Sequence, residues 1–109
     1  MEYVNIERVL EIIENGEYDE ITTYVNCVGA TQYNVKTNNG GIIRLVHGNK
    51  VWWTKEYVDV ILFAPDVDDA IYAGRCKSDD VLFDRIYNAW KKVVNDFDSR
   101  KKDEYSKFF

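Results

Sequence analysis

The hydrophobic period of this chain changes twice, and that change limits the fold more than any other feature. Ile6, Val9, Leu10 and Ile13 recur at helical spacing ahead of Gly16. Thr31-Gln32-Tyr33-Asn34-Val35-Lys36-Thr37 alternates polar and apolar, the period of a half-buried strand. Leu82, Ile86, Ala89, Trp90, Val93 and Phe97 then return to helical spacing. Helix, sheet and helical segments that follow one another along the chain point to an α+β domain. At 109 residues, residues 1–109 make one such domain with a single core, and no disulfide or metal is needed to hold it.

Local signals place the elements. Asn5 can cap the first helix, and Gly16 stands where a left-handed residue ends it. Asn39-Gly40-Gly41 and Gly48-Asn49 read as hairpin turns, giving strands near 20–28, 31–37, 42–47 and 50–54. Tyr57-Val58-Asp59-Val60-Ile61-Leu62-Phe63-Ala64 is rich in β-branched residues and reads as a fifth strand, with a helix stripe as the alternative; Pro65 ends it. Asp66 is expected to cap a short helix over 67–73 closed by Gly74, and Ser78 to cap the long last helix. The expected architecture is an N-terminal helix, an antiparallel meander of four or five strands and two C-terminal helices.

Lys50-Val51-Trp52-Trp53-Thr54 holds two of the three tryptophans side by side. On a strand the two indoles point to opposite faces. A two-residue Gly48-Asn49 turn would pair Leu45 with Trp52 and Arg44 with Trp53. Trp52 would then join Tyr33, Val35, Ile43 and Leu45 on a core face beneath the first helix. Trp53 would join Ile42, Arg44, Val46 and Val51 on the other face, with Arg44 over its ring. That second face either lies beneath the C-terminal helix or forms an exposed patch for a partner.

Charge narrows the function. Fourteen Lys and Arg against nineteen Asp and Glu give −5, placed unevenly: −6 over residues 1–20, +2 over 21–65, −4 over 66–84 and +3 over 85–109. A net acidic chain is a poor direct ligand for nucleic acid and favours basic protein surfaces. Asp66, Asp68, Asp69, Asp79 and Asp80 exceed what two helix N-termini use, so an acidic docking surface stands beside helix-end decoration as their reading. They lack the glycine and terminal glutamate of a calcium loop, and no metal or other cofactor is expected. Eight tyrosines, several beside acids as in Glu17-Tyr18-Asp19, suit surfaces where aromatic anchors meet charge.

Catalytic groups are sparse. One histidine, His47, and two cysteines, Cys27 and Cys76, fall short of a nucleophile constellation or a zinc site, and no phosphate-cradling loop appears. An enzyme is not expected. Glu2, Glu7 and Glu11 interrupt any apolar leader, and the run from Val60 to Pro65 is far too short to span a membrane, so a cytosolic, reduced protein is expected.

The order helix, antiparallel meander, helices in a short acidic chain, with the opening helix Asn5-Ile6 through Asn15-Gly16-Glu17-Tyr18, resembles small phage-encoded anti-CRISPR proteins that inhibit a type II effector nuclease. The resemblance implies a non-enzymatic, acidic decoy that occupies a nucleic-acid-binding groove of the nuclease; it assigns no residue a role. From the residues themselves come the candidate partner-binding positions Asp66, Asp68, Asp69, Asp79, Asp80, Trp53 and Arg44. Two other readings fit the same composition. An immunity protein or antitoxin would plug a toxin's active site, and a sponge for a nucleotide signal would use Arg44 and Trp53.

Overall fold

The computed structural model describes residues 5–27 and 29–109. Its elements run α1 (Ile6–Glu14), β1 (Tyr18–Val25), β2 (Thr31–Thr37), β3 (Ile42–Gly48), β4 (Tyr57–Phe63), β5 (Ala70–Lys77) and α2 (Phe83–Ser106). Every strand pairs antiparallel with its sequence neighbour, giving a five-stranded meander in the order β1-β2-β3-β4-β5. Residue 28, the last of the strand expected over 20–28, lies outside the described residues.

The first helix forms as its ends dictate. Asn5 Oδ1 accepts the Arg8 N–H at 3.1 Å, satisfying one of the free amides of the first turn. Gly16 takes φ 69°, and the Gly16 and Glu17 amides donate back to Ile13 and Ile12 carbonyls. That double bond closes the helix and turns the chain into β1.

The β2–β3 register lies two residues from the pairing expected for an Asn39-Gly40-Gly41 loop, Val35 with Leu45 and Thr37 with Ile43: Val35 stands opposite Ile43 and Tyr33 opposite Leu45. The Thr37 amide donates to the Gly41 carbonyl at 2.8 Å with Gly40 at φ 91° inside the turn, and a shift of two keeps the same side chains on the core face. Alternation then carries Ile21, Val35, Ile43, Leu45, Val58, Val60, Leu62 and Cys76 to one face, where all are buried. Both helices lie on this face. Val9, Leu10 and Ile13 of α1 and Phe83, Ile86, Ala89 and Val93 of α2 complete a single core.

The helix α2 crosses the sheet diagonally. Trp90 stacks on His47 of β3 at 4.3 Å, Phe97 meets Tyr33 of β2 edge-on at 5.8 Å, and Arg100 donates to the Asp19 carbonyl of β1 at 2.8 Å. Two contacts lock α1 to it: Lys92 Nζ donates to the Ile13 carbonyl at 2.9 Å, and Arg85 makes two 3.0 Å bonds to Glu14. The result is two layers. Among the described residues no helix covers the second sheet face, so the arrangement with Trp53 beneath the C-terminal helix is not formed.

Three further expectations are corrected. Residues 50–54 are not a strand: β3 pairs with β4, with Gly48 opposite Tyr57. Gly48 keeps the extended backbone of a strand end, while Gly16, Gly29 and Gly40 are the glycines with positive φ. What Gly48 contributes is the absence of a side chain, because a Cβ there would collide with the Tyr57 ring that lies across it. Residues 66–73 are not a helix. Ala64-Pro65-Asp66-Val67 forms a tight turn in which the Val67 amide donates to the Ala64 carbonyl at 3.3 Å and Asp66 takes φ 60°. Strand β5 follows, so the fold has one C-terminal helix rather than two. Nor does Ser78 cap α2; Asp80 Oδ1 accepts the Leu82 amide at 2.8 Å instead.

Candidate functional site

The β3–β4 connection projects the tryptophan pair away from the fold. Val51 and Thr54 exchange both backbone hydrogen bonds, at 3.1 and 3.2 Å, closing a two-residue turn with Trp52 and Trp53 at its tip. Trp52 is 100% exposed and Trp53 84%. The expectation of Trp52 as a core residue is therefore overturned, and Trp53 is exposed on the turn rather than on the sheet face where both of its readings placed it. The cause lies in registry. Once Tyr57 lies across Gly48 and β4 supplies Val58, Val60 and Leu62 to the core, no core position is left for 50–54.

Beside the tip stands a platform on the open sheet face. The Arg75 guanidinium lies over the Tyr57 ring at 3.7 Å, and Asp59 holds it with bonds of 2.8 and 3.1 Å. The Asp59 hydrogen bond raises the Arg75 pKa further above its ordinary value, so the charge is permanent. Lys55 pairs with Asp79, and that bond pulls the Asp79 pKa below its ordinary value. Trp53, Thr54, Tyr57, Arg75 and Lys77, with the Lys55–Asp79 pair, border a cleft of about 280 Å³. Aromatic planes beside fixed cations can take a planar anionic group by stacking and ion pairing.

The structure separates the other predicted site residues. Arg44 does not face Trp53. It sits opposite Asn34 and Ile61, donates from Nε to Asn34 Oδ1 at 2.8 Å and lies 4.8 Å over the Phe63 ring. Asp66, Asp68 and Asp69 occupy the exposed β4–β5 loop, whereas Asp79 and Asp80 follow β5 at the opposite end of the sheet. Eight residues of β5 lie between the two groups, roughly 26 Å at strand rise. The five aspartates are two separate acidic features, with Asp79 bound to Lys55 and Asp80 to the start of α2.

Measured against family models, curated proteins and solved structures, the chain has no significant match.

Cys27 is exposed in the β1–β2 loop, while His47 lies on the helix-covered side with Nε2 2.6 Å from Glu56 Oε2. Cys76 is buried, and that burial, reinforced by Asp80 and Asp79, raises its thiol pKa and keeps it protonated. No group of three His, Cys, Asp or Glu that could hold a metal occurs among the described residues, and no described helix is long and apolar enough to cross a membrane. Sequence reasoning missed the His47–Glu56–Trp90 cluster. Its signal was present in the alternation, since His47 falls on the same face as Ile43 and Leu45.

Proposed function

We propose that this chain is a non-enzymatic inhibitor that works by protein–protein binding, with the tip of the β3–β4 loop as its anchor. One observation carries the reading: two adjacent tryptophans stand in solvent on a turn closed by its own backbone. Two indoles of roughly 150–250 Å² each gain nothing inside the monomer from this position and are the residue type that dominates binding hot spots. Around the tip, Lys50, Lys55, Arg75 and Lys77 balance Glu56, Asp59, Asp79 and Asp80, so the anchor itself is neutral. The net acidity and the loop bearing Asp66, Asp68 and Asp69 supply steering toward a basic, nucleic-acid-binding surface.

The test follows the resemblance of the opening segment. A panel of guide-loaded type II effector nucleases is assayed for target-DNA cleavage with and without the protein, and binding is measured in parallel with Trp52→Ala and Trp53→Ala. Protection of the DNA by wild type and its loss in the tryptophan variants support the reading. Binding that the two variants leave unchanged removes the anchor. Absence of both binding and inhibition across the panel removes the nuclease as the partner.

A second reading has its own observation. The cleft of Trp53, Tyr57, Arg75 and Lys77 suits a nucleotide held by stacking and charge. Calorimetric titration with mono- and cyclic dinucleotides, repeated on Arg75→Ala, distinguishes it. Heat of binding lost in that variant favours a nucleotide sponge over a protein inhibitor.

A further inference from the structure

We infer that two copies of this chain join through the outer edge of β1, antiparallel and related by a two-fold axis at Thr23, to make one continuous ten-stranded sheet. The two edges of the sheet differ. Strand β5 carries Arg75 and Lys77 and a break in register beside Phe63, devices that discourage edge pairing. Strand β1 has its irregularity and its charges, Asp19 and Glu20, at its start only. From Ile21 to Val25 it is uncharged, β-branched or aromatic, free of proline and glycine, and among the described residues paired on one side only. Tyr24 is 61% exposed and Val25 59%. An edge of this kind is a template for another strand.

The occupant is a second copy because the segment complements itself. With Thr23 opposite its own symmetry mate, Ile21 faces Val25, Thr22 faces Tyr24 and Glu20 faces Asn26 across the axis. No like charges oppose, and the exposed Val25 gains an apolar neighbour on the helix side of the sheet. A second feature points to the same edge. Arg100 ties α2 to β1 by donating to the Asp19 carbonyl, and the helix runs on to Ser106. Residues 101–109 are exposed throughout, with Tyr105, Phe108 and Phe109 on a segment that continues past β1. In the paired form this overhang reaches the partner's side of the junction. Tyr24, Tyr105, Phe108 and Phe109, aromatic side chains of roughly 150–250 Å² each, leave most of that surface exposed and supply a large part of the about 800 Å² per copy of a stable interface.

Sedimentation equilibrium of the wild-type protein, Thr23→Lys and Ala73→Lys tests this. Wild type and Ala73→Lys, whose charge falls on the other edge strand, are expected to be dimers. Thr23→Lys sets two like charges against each other on the axis and is expected to be a monomer. A circular dichroism melt checks that it is folded. Independently of that variant's folding, Thr23→Cys in a Cys27→Ser background is expected to give a disulfide-linked dimer on mild oxidation, and Ala73→Cys in the same background none. A monomeric wild type at its highest soluble concentration overturns the inference. So does an open ladder of larger species, or a dimer that Ala73→Lys dissociates and Thr23→Lys does not.

Discussion

Single residues in this protein divide sharply between those that hold the fold and those that hold nothing within it. Trp52 and Trp53 belong to the second group, so Trp52→Ala and Trp53→Ala should each change stability by no more than about 0.5 kcal/mol. A fall of several degrees in the melting temperature of either would show that its indole packs somewhere in the fold. Tyr18 belongs to the first group. Its hydroxyl donates to Asp96 Oδ2 at 2.6 Å, and burial together with that carboxylate pushes its pKa up to about 12. A group whose pKa is raised on folding contributes fully below its unfolded pKa, here near 10, and loses that contribution as pH climbs toward 12. The burial that would raise the Asp96 pKa is outweighed by bonds from Tyr18 and Arg100, so the net shift is downward. The stability gap between wild type and Tyr18→Phe should therefore be constant from pH 7 to 9 and narrow between pH 10 and 12. Denaturant titrations across that range would refute it if the gap held constant to pH 12.

At the level of elements, the strand ends show how a glycine can be read correctly as special and wrongly as a turn. Gly48 ends β3 beneath the Tyr57 ring, and the Arg75 guanidinium stacks on that ring. Gly48→Ala forces the ring aside and should cost about 1–3 kcal/mol, measured as a lower denaturant midpoint with an unchanged slope. The same variant should disturb the cleft beside Trp53, because Tyr57 forms one of its walls. Stability equal to wild type would mean that Tyr57 does not pack across Gly48. The helix α2 had the opposite history. Its apolar stripe was plain in the sequence, but which face of the sheet it covers was not, because that depends on where the strands bring Tyr33 and His47 together to meet Phe97 and Trp90.

Across the whole molecule, charge is the property that acts at a distance, and its arrangement sets the last expectation. Replacing Asp66, Asp68 and Asp69 by Asn should slow association with a basic partner and flatten its dependence on salt, while dissociation changes little. Replacing Asp79 and Asp80 should instead loosen the Lys55 contact and the start of α2, and show as lost stability. Stopped-flow association at several ionic strengths, with melts of both variants, separates the two groups. Equal effects on association from both would restore a single acidic surface. While 57–64 kept a helix stripe as the alternative to the strand that forms, the sequence by itself determined α1, the β2–β3 hairpin and which of its faces is buried, and the long amphipathic α2. In each, neighbours in the chain settle the outcome: a cap, a left-handed glycine, or an alternation that one residue of slip would turn inside out. Tertiary structure alone decided that 70–77 is a strand rather than a helix, that Tyr57 and not Lys50 resumes the sheet after Gly48, and that both tryptophans stand in water. Those choices turn on long-range pairing and on which residues fill one shared core, and short runs such as 50–54 and 66–74 carry no local signal strong enough to outweigh that competition.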